Sequence, residues 1–113
     1  MTANDFRRIA LSLPQVTEAA HMEHPDFRVK NRIFATLGYP GRGWGMVKLT
    51  PEQQDWLVRA EPGAFTPVTG AWGRAGCTNV NLRAARKGMV REALITAWRN
   101  QAPKSIAQEL PHD

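Results

Sequence analysis

The chain holds a single cysteine, Cys77, and no apolar run long enough to cross a membrane. One cysteine cannot form an internal disulfide or a cluster of thiolate ligands for a metal. A membrane-spanning helix needs roughly 18 consecutive apolar residues, and charges, glycines or prolines interrupt every candidate stretch. Asp5, Arg7 and Arg8 stand among the first apolar residues, so we predict no signal peptide. These absences predict a cytoplasmic protein with no membrane partner.

The length and composition predict one globular domain. The chain has 113 residues, of which 42% are hydrophobic and 22% are charged. Domains commonly run to about 100–150 residues with this balance. We therefore predict a single domain over residues 1–113, with a flexible C-terminal tail after about residue 104. A monomer is the favoured oligomeric state.

Positive charge is in excess. Lys and Arg number 15 against 10 acidic residues, which gives a net charge of +5 and an isoelectric point near 10.1. Most of the excess lies in the C-terminal part, where the chain from Gly70 onward has seven basic residues and three acidic ones. A basic domain favours polyanionic partners such as nucleic acid.

Capping signals and apolar spacing predict the helices. Thr2 with Asp5, and Thr50 with Gln53, match the capping box at which a helix begins. Proline at the first helical position strengthens the second signal. The predicted helices are 3–13, a short helix from Pro51 that ends before Pro62, a long helix over about 86–101, and a last turn within 105–110.

Alternating apolar and polar residues predict the strands. They cover 26–29, 32–37, 46–49 and 77–82. Lys30 and Asn31 form a two-residue turn that predicts a hairpin. The stretch from Glu18 to Pro25 is predicted to be irregular, the segment 38–45 a glycine-rich loop that contains Trp44, and the segment 64–76 a loop or irregular edge strand.

The resulting order is α-β-β-β-α-β-(β)-α. Strands follow one another instead of alternating with helices, which favours an antiparallel sheet. We predict an α+β two-layer sandwich with about five strands and with helices on one face. A doubly wound nucleotide-binding fold is disfavoured.

No motif indicates an enzyme or a cofactor site. The glycine-rich loop GYPGRGWG at 38–45 matches no phosphate-binding pattern. His21, Glu23 and His24 offer metal ligands, but their spacing fits no known zinc motif and Pro25 prevents a continuing helix. Cys77 has no identifiable general base. We predict no catalytic residues, no metal and no nucleotide cofactor.

The four tryptophans divide into two pairs. Trp56 and Trp98 lie at helical core spacing, so we predict that both are buried. Trp44 and Trp72 lie in glycine-rich segments, each near an arginine. Either they cover an end of the core, or they hold a base or a phosphate.

Five segments spread along the chain form a recognisable pattern: LPQVTE at 13–18, HPDFRV at 24–29, IFATL at 33–37, VKL at 47–49 and GAWGRAG at 70–76. Together these segments resemble the MmcQ/YjbR family of small proteins. The similarity covers about residues 3–104. Two departures from the family pattern are the Lys30-Asn31-Arg32 turn, where a glycine is expected, and Cys77, where an aromatic residue is more common.

This resemblance implies a CyaY-like, or frataxin-like, fold and a DNA-binding role. The DNA-binding role rests on analogy of fold. The frataxin-like resemblance implies that an iron site would lie on an acidic first helix. The first helix here has one acidic residue, Asp5, and two basic ones, Arg7 and Arg8. The resemblance therefore does not extend to iron binding.

Two functional hypotheses follow. The first is a non-enzymatic protein that contacts the phosphate backbone of DNA with weak sequence preference, because no base-reading element is present. Its predicted contact residues are Trp72, Arg74, Arg83, Arg86, Lys87 and Arg91. The alternative is a pocket for a small anionic ligand or a peptide, with Lys48 in its floor and His24, Trp72 and Arg74 at its rim.

Overall fold

One antiparallel sheet of six strands forms the centre of the fold. The computed structural model describes residues 1–110. Its strands are β1 (Val16–His21), β2 (His24–Val29), β3 (Arg32–Leu37), β4 (Trp44–Lys48), β5 (Phe65–Pro67) and β6 (Cys77–Asn81). Its helices are α1 (Ala3–Ser12), α2 (Pro51–Ala60), α3 (Ala71–Arg74), α4 (Lys87–Gln101) and α5 (Lys104–Ala107). The strand order across the sheet is β1-β2-β3-β4-β6-β5, and every neighbouring pair is antiparallel.

The predicted α+β class with an antiparallel sheet is confirmed, but the sheet has six strands and not five. The additional strand is β1, in a stretch that we expected to be irregular. Residues 17–21 of β1 are all exposed, so buried and exposed positions do not alternate along this strand. It is held as an edge strand by its backbone pairing with β2 and by the Arg7–Glu18 ion pair at 3.0 Å.

Two short turns build the first half of the sheet. Lys30 and Asn31 have φ values of 50° and 64°, as the predicted hairpin between β2 and β3 requires. Met22 and Glu23 adopt the same left-handed conformation, with φ values of 49° and 68°, between β1 and β2. Neither turn contains glycine, so four ordinary side chains stand in a conformation that glycine adopts more readily.

A bulge in β3 changes which side chains face the core. Arg28 pairs with Ile33, but the residue before it in β2, Phe27, pairs with Ala35. Strand β3 therefore has one extra residue, Phe34, between the two pairs. Phe34 and Ala35 both lie in the core, whereas Ile33 is only partly buried. Consecutive burial of this kind departs from the alternation of a regular strand.

Helices α1 and α4 pack against one face of the sheet and against each other. Trp98 of α4 is fully buried and its Nε1 donates to the Pro14 carbonyl at 3.0 Å, which confirms its predicted place in the core. The prediction for Trp56 was wrong, because its side chain is 68% exposed. In α2 it is the neighbouring Leu57 that enters the core.

Both predicted capping boxes are present. Thr2 and Thr50 accept hydrogen bonds from Asp5 and Gln53 backbone amides, and the side chains of those residues accept the amides of the threonines in return. Trp44 begins β4 instead of lying in the preceding loop. The segment 64–76 contains the edge strand β5 and the short helix α3.

The C-terminal segment continues with secondary structure beyond α4. We predicted a flexible tail after about residue 104, whereas residues 104–107 form α5 and Ile106 is buried against the core. Arg99 Nη2 also donates to the Leu110 carbonyl at 3.0 Å. The rest of the predicted tail, residues 111–113, lies outside the described residues. None of the helices in the described part is long and apolar enough to span a bilayer.

Gly76 is expected to tolerate no side chain. Its φ is +115°, and a Cβ there would lie 1.9 Å from the Leu49 carbonyl oxygen. We expect Gly76→Ala to lower the free energy of unfolding by at least about 2 kcal/mol, through backbone strain and displacement of Leu49. The measurement is urea unfolding followed by circular dichroism.

Gly88→Ala is the matched control. Gly88 lies in α4, and apart from its chain neighbours and its own helix backbone no atom of residues 1–110 lies within 4 Å of an added Cβ, so its replacement should be neutral or stabilising by up to about 1 kcal/mol. Equal effects of the two substitutions would contradict this account of Gly76.

Candidate functional site

The face of the sheet away from α1 and α4 carries a groove of about 600 Å³. Alternation along β4 places Val47 in the core and leaves Met46 and Lys48 on the groove side. The floor is formed by side chains of two strands, β3 and β4, together with the first residue of β6. These floor residues are Ile33, Thr36, Met46, Lys48 and Cys77.

Three connecting segments wall the groove. The turn between β1 and β2 forms one end, the start of the β3–β4 loop adds an aromatic ring, and the chain from β5 into α3 forms the opposite wall. The wall residues are His21, Met22, His24, Tyr39, Val68, Thr69 and Trp72.

The ladder register explains why the floor residues lie together. Asp26, Thr36, Met46 and Asn79 are successive partners across four strands, so they form one row across the sheet. The bulge at Phe34 then brings Ile33 to the same face as Thr36, although the two are an odd number of residues apart.

One end of the groove combines a cation with an exposed indole. Lys48 Nζ lies 5.8 Å from the centroid of the Trp72 ring, within the range of a cation–π contact. The Trp72 side chain is 67% exposed, which leaves most of its ring surface open to a ligand.

The segment that carries Trp72 is anchored through its backbone. Gln54 Nε2 of α2 donates to the Gly73 carbonyl at 3.0 Å and to the Cys77 carbonyl at 2.9 Å. Gly73 lies so close to Val68 that a Cβ would be 1.6 Å from the Val68 carbonyl oxygen. The short helix α3 is thereby held against α2 and β6, with Trp72 directed toward Lys48.

The other end of the groove has two imidazoles and a phenol. The rings of His24 and Tyr39 meet edge to face, with centroids 5.9 Å apart. His21, the register partner of His24 across the turn, has its Nδ1 2.9 Å from Asp26 Oδ2.

Asp26 is a fully buried carboxylate beneath this end of the groove. Arg28 donates to it twice, from Nε at 2.8 Å and from Nη2 at 3.1 Å, and His21 provides the third contact. The Arg28 hydrogen bonds hold the pKa of Asp26 below its ordinary value, against the opposing effect of burial. The carboxylate is therefore ionised at neutral pH, with all its partners on the groove side of the sheet.

Cys77 is a buried thiol in the floor. Burial raises the pKa of the Cys77 thiol, and the positive charge of Lys48 only partly opposes this. A thiol with a raised pKa is a poor nucleophile at neutral pH. The geometry thus gives Cys77 a packing role in the floor.

Three of the four residues predicted for the alternative pocket lie together. His24, Lys48 and Trp72 all line the groove. Arg74 does not line it, because it is the last residue of α3 and its side chain is exposed.

The residues predicted to contact DNA fall into two groups. Trp72 and Arg74 lie before the start of β6, whereas Arg83, Arg86, Lys87 and Arg91 follow its end and surround the N-terminus of α4. We expected these two groups to come together in space if the last strand packed beside the long helix. In the structure, α4 packs mainly on β3 and β4. The strand β6 separates the two groups.

Two of the four cations near α4 have acidic partners. Arg86 Nη2 is paired with Glu61 Oε1, and Lys87 Nζ lies 3.8 Å from Asp5 Oδ1. Arg83 and Arg91 are exposed. The positive charge at this end of the molecule is therefore partly compensated within the protein.

The metal ligands considered in the sequence do not converge. Among residues 1–110, no three His, Cys, Asp or Glu side chains form a group that suits a metal ion. His21 is engaged by Asp26, and Glu23 stands exposed in the turn.

Sequence reasoning missed part of the groove. His21 was considered only as a metal ligand, and Tyr39 and Met46 were not singled out. The spacing HxxHxD at 21–26 could have indicated this end of the groove. A two-residue turn pairs the two histidines, and Asp26, two residues after His24 in β2, lies on the same face of the sheet.

Comparison with known proteins supplies the family. The model of the YjbR family matches residues 11–100. This chain belongs to the YjbR family. The crystal structure of the Deinococcus radiodurans protein DR2400, a DUF419 domain, superposes with a TM-score of 0.74 at 21% sequence identity, covering 97% of this chain and 89% of that one. At that identity the likeness supports the shared fold. No curated protein matches the chain.

Membership of the YjbR family agrees with the resemblance found in the sequence, and the matched range includes nearly all groove residues. The family match identifies the domain without assigning it a ligand. The groove and the distribution of charge are the features of this chain that indicate a ligand.

The depressed pKa of Asp26 predicts a dependence of stability on pH. A carboxylate with a folded pKa below its ordinary 3.8 stabilises the protein above that value, and the contribution is lost as the pH falls through the folded pKa. We expect the free energy of unfolding to fall less steeply below about pH 4 in Asp26→Asn than in the parent. Urea unfolding at a series of pH values measures this.

Asp55→Asn is the control, since Asp55 is an exposed carboxylate paired with Arg59 on the surface of α2. It should keep the acid sensitivity of the parent. If the free energy of unfolding depended on pH in the same way in the parent and in Asp26→Asn, the role assigned to Arg28 would be contradicted.

Proposed function

We propose that this YjbR-family protein binds a small organic anion with a planar group in the groove. The observation that carries the proposal is the placement of Lys48 beside the open ring of Trp72 in a single concave site. The ammonium attracts the anionic group, and the indole face receives the planar part of the ligand.

The size of the groove suits a small molecule. Ligand sites commonly have volumes of about 300–1,000 Å³ and combine apolar walls with a few polar groups. The groove, at about 600 Å³, has an apolar floor around Met46 and Ile33. Its polar groups are concentrated at the two ends.

The charge of the groove favours an anion. Within residues 1–110, none of the groove-lining residues is acidic, although Lys48 and two histidines are among them. The carboxylate of Asp26, which contacts the groove residue His21, is buried and paired with Arg28. We propose a binding role and not a catalytic one, because the thiol in the floor is kept protonated.

A thermal-shift screen of aromatic carboxylates and mononucleotides tests this proposal. A ligand present at 100 times its dissociation constant stabilises the folded protein by about 2.7 kcal/mol. We expect Lys48→Ala and Trp72→Ala each to weaken binding of the hits about tenfold or more, measured by calorimetry.

Trp56→Ala is the matched control, since Trp56 is as exposed as Trp72 but lies on α2 outside the groove. Its affinity should equal that of the parent. Equal losses in Trp56→Ala and Trp72→Ala, or a screen without any stabilising anion, would contradict binding in the groove.

The second candidate is contact with the phosphate backbone of DNA. The observation that favours it is the set of four cations around the start of α4, where no side chain of the described residues caps the helix. The positive end of the helix adds to their field. Binding requires phosphates to replace Glu61 and Asp5 as partners of Arg86 and Lys87.

Salt-dependent titration with duplex and single-stranded DNA tests the second candidate. Each phosphate neutralised on duplex DNA contributes about 0.9 to the slope of log K against log salt. We expect the double variant Arg86→Ala, Lys87→Ala to reduce that slope by up to about two.

The charge-matched control is Lys30→Ala with Arg32→Ala. Lys30 lies in the turn between β2 and β3 and Arg32 directly follows it, at the end of the sheet opposite Arg83. The control should keep the parent slope. Equal changes in both double variants would show non-specific attraction, and no binding at about 50 mM salt would exclude this candidate.

A further inference from the structure

The His21–Asp26 pair gives the groove a polar end with a defined hydrogen-bonding character. His21 Nδ1 lies 2.9 Å from Asp26 Oδ2, and Asp26 is fully buried while the His21 side chain is 50% exposed. Arg28 donates two further hydrogen bonds to the carboxylate, one to each oxygen. The pair thus joins a fixed interior group to a side chain that lines the groove.

The ionised carboxylate determines the tautomer of His21. A carboxylate only accepts hydrogen bonds, so the nitrogen that faces it must carry the proton. In the neutral imidazole the proton is then on Nδ1, and Nε2 carries the free lone pair. Within residues 1–110, no protein group is hydrogen-bonded to His21 Nε2.

We propose that Asp26 is a positioning residue that fixes His21 as a hydrogen-bond acceptor in the groove, so that the ligand presents a hydroxyl or N–H group to His21 Nε2. The inference rests on the proposed function and deepens it. Lys48 and Trp72 select the anionic and planar part of the ligand, and His21 selects a donor at the other end.

The register of the sheet indicates the length of such a ligand. His21 and Lys48 lie three strands apart and on opposite sides of the Asp26–Thr36–Met46 row. With strands about 4.8 Å apart and a rise of about 3.4 Å per residue, their Cα atoms are roughly 19 Å apart. Since both side chains cover part of that distance, a ligand that reaches both is an elongated aromatic anion on the order of 10 Å long.

The first experiment examines His21 without any ligand. Two-dimensional ¹H–¹⁵N spectra that correlate the ring nitrogens with the carbon-bound protons distinguish the two neutral tautomers. We expect the Nδ1–H tautomer in the parent at pH 8, and a shift toward a mixture in Asp26→Asn. A parent that holds the Nε2–H tautomer overturns the role of Asp26, whether or not any ligand binds.

The second experiment compares two probes that differ in one donor. These are 4′-hydroxybiphenyl-4-carboxylate and biphenyl-4-carboxylate, which share a carboxylate and two planar aromatic rings. We expect the hydroxylated probe to bind the parent about 3- to 10-fold more tightly, the range that one hydrogen bond supplies. The preference should disappear in His21→Ala, which removes one partner of Asp26 and leaves its two hydrogen bonds from Arg28 available.

Glu23→Gln is the control for selectivity, because Glu23 lies in the same turn but does not line the groove. It should keep the preference for the hydroxyl. Binding of both probes with equal affinity, dependent on Lys48 and Trp72, overturns this inference and leaves the proposed function intact. Binding of neither probe overturns the ligand class proposed here, and the wider anion screen then decides the proposed function separately.

Discussion

The antiparallel register of β2, β3, β4 and β6 is the constraint on which the rest of the structure depends. Because side chains alternate between the two faces of a strand, this register determines which residues pack under α1 and α4 and which line the groove. The bulge at Phe34 is the exception. It places two consecutive residues of β3 in the core and turns Ile33 toward the groove.

Local signals in the sequence were sufficient for most of the fold. The capping boxes at Thr2 and Thr50 and the turn at Lys30-Asn31 depend on residues three or fewer positions apart, so the sequence displays them directly. Strand β1 was not predicted because strands were identified by hydrophobic alternation. Neither face of β1 is buried, so its sequence does not need that alternation. Trp56 was misplaced because apolar spacing on α2 does not show that Leu57 fills the space beneath the helix.

The candidate site was only partly predictable, since it is assembled across distant segments. The resemblance and the position in a glycine-rich segment made Trp72 a candidate, and the position on a predicted strand made Lys48 one. The contact between the two depends on the anchoring of α3 by Gln54, which the sequence does not display. The two DNA-contact groups looked continuous in sequence from Arg74 to Arg91. The length of β6 separates them in space, which a list of charges along the chain does not reveal.

Gln54 also joins two parts of the molecule that are distant in sequence. Its side-chain amide donates both hydrogens to backbone carbonyls on either side of the turn that leads from α3 into β6. The preceding residue of the same helix, Gln53, accepts a hydrogen bond from Asn100 of α4. Helix α2 is therefore hydrogen-bonded both to an element of the helical layer and to the wall that carries Trp72, so that one helix forms a bridge between the two faces of the sheet.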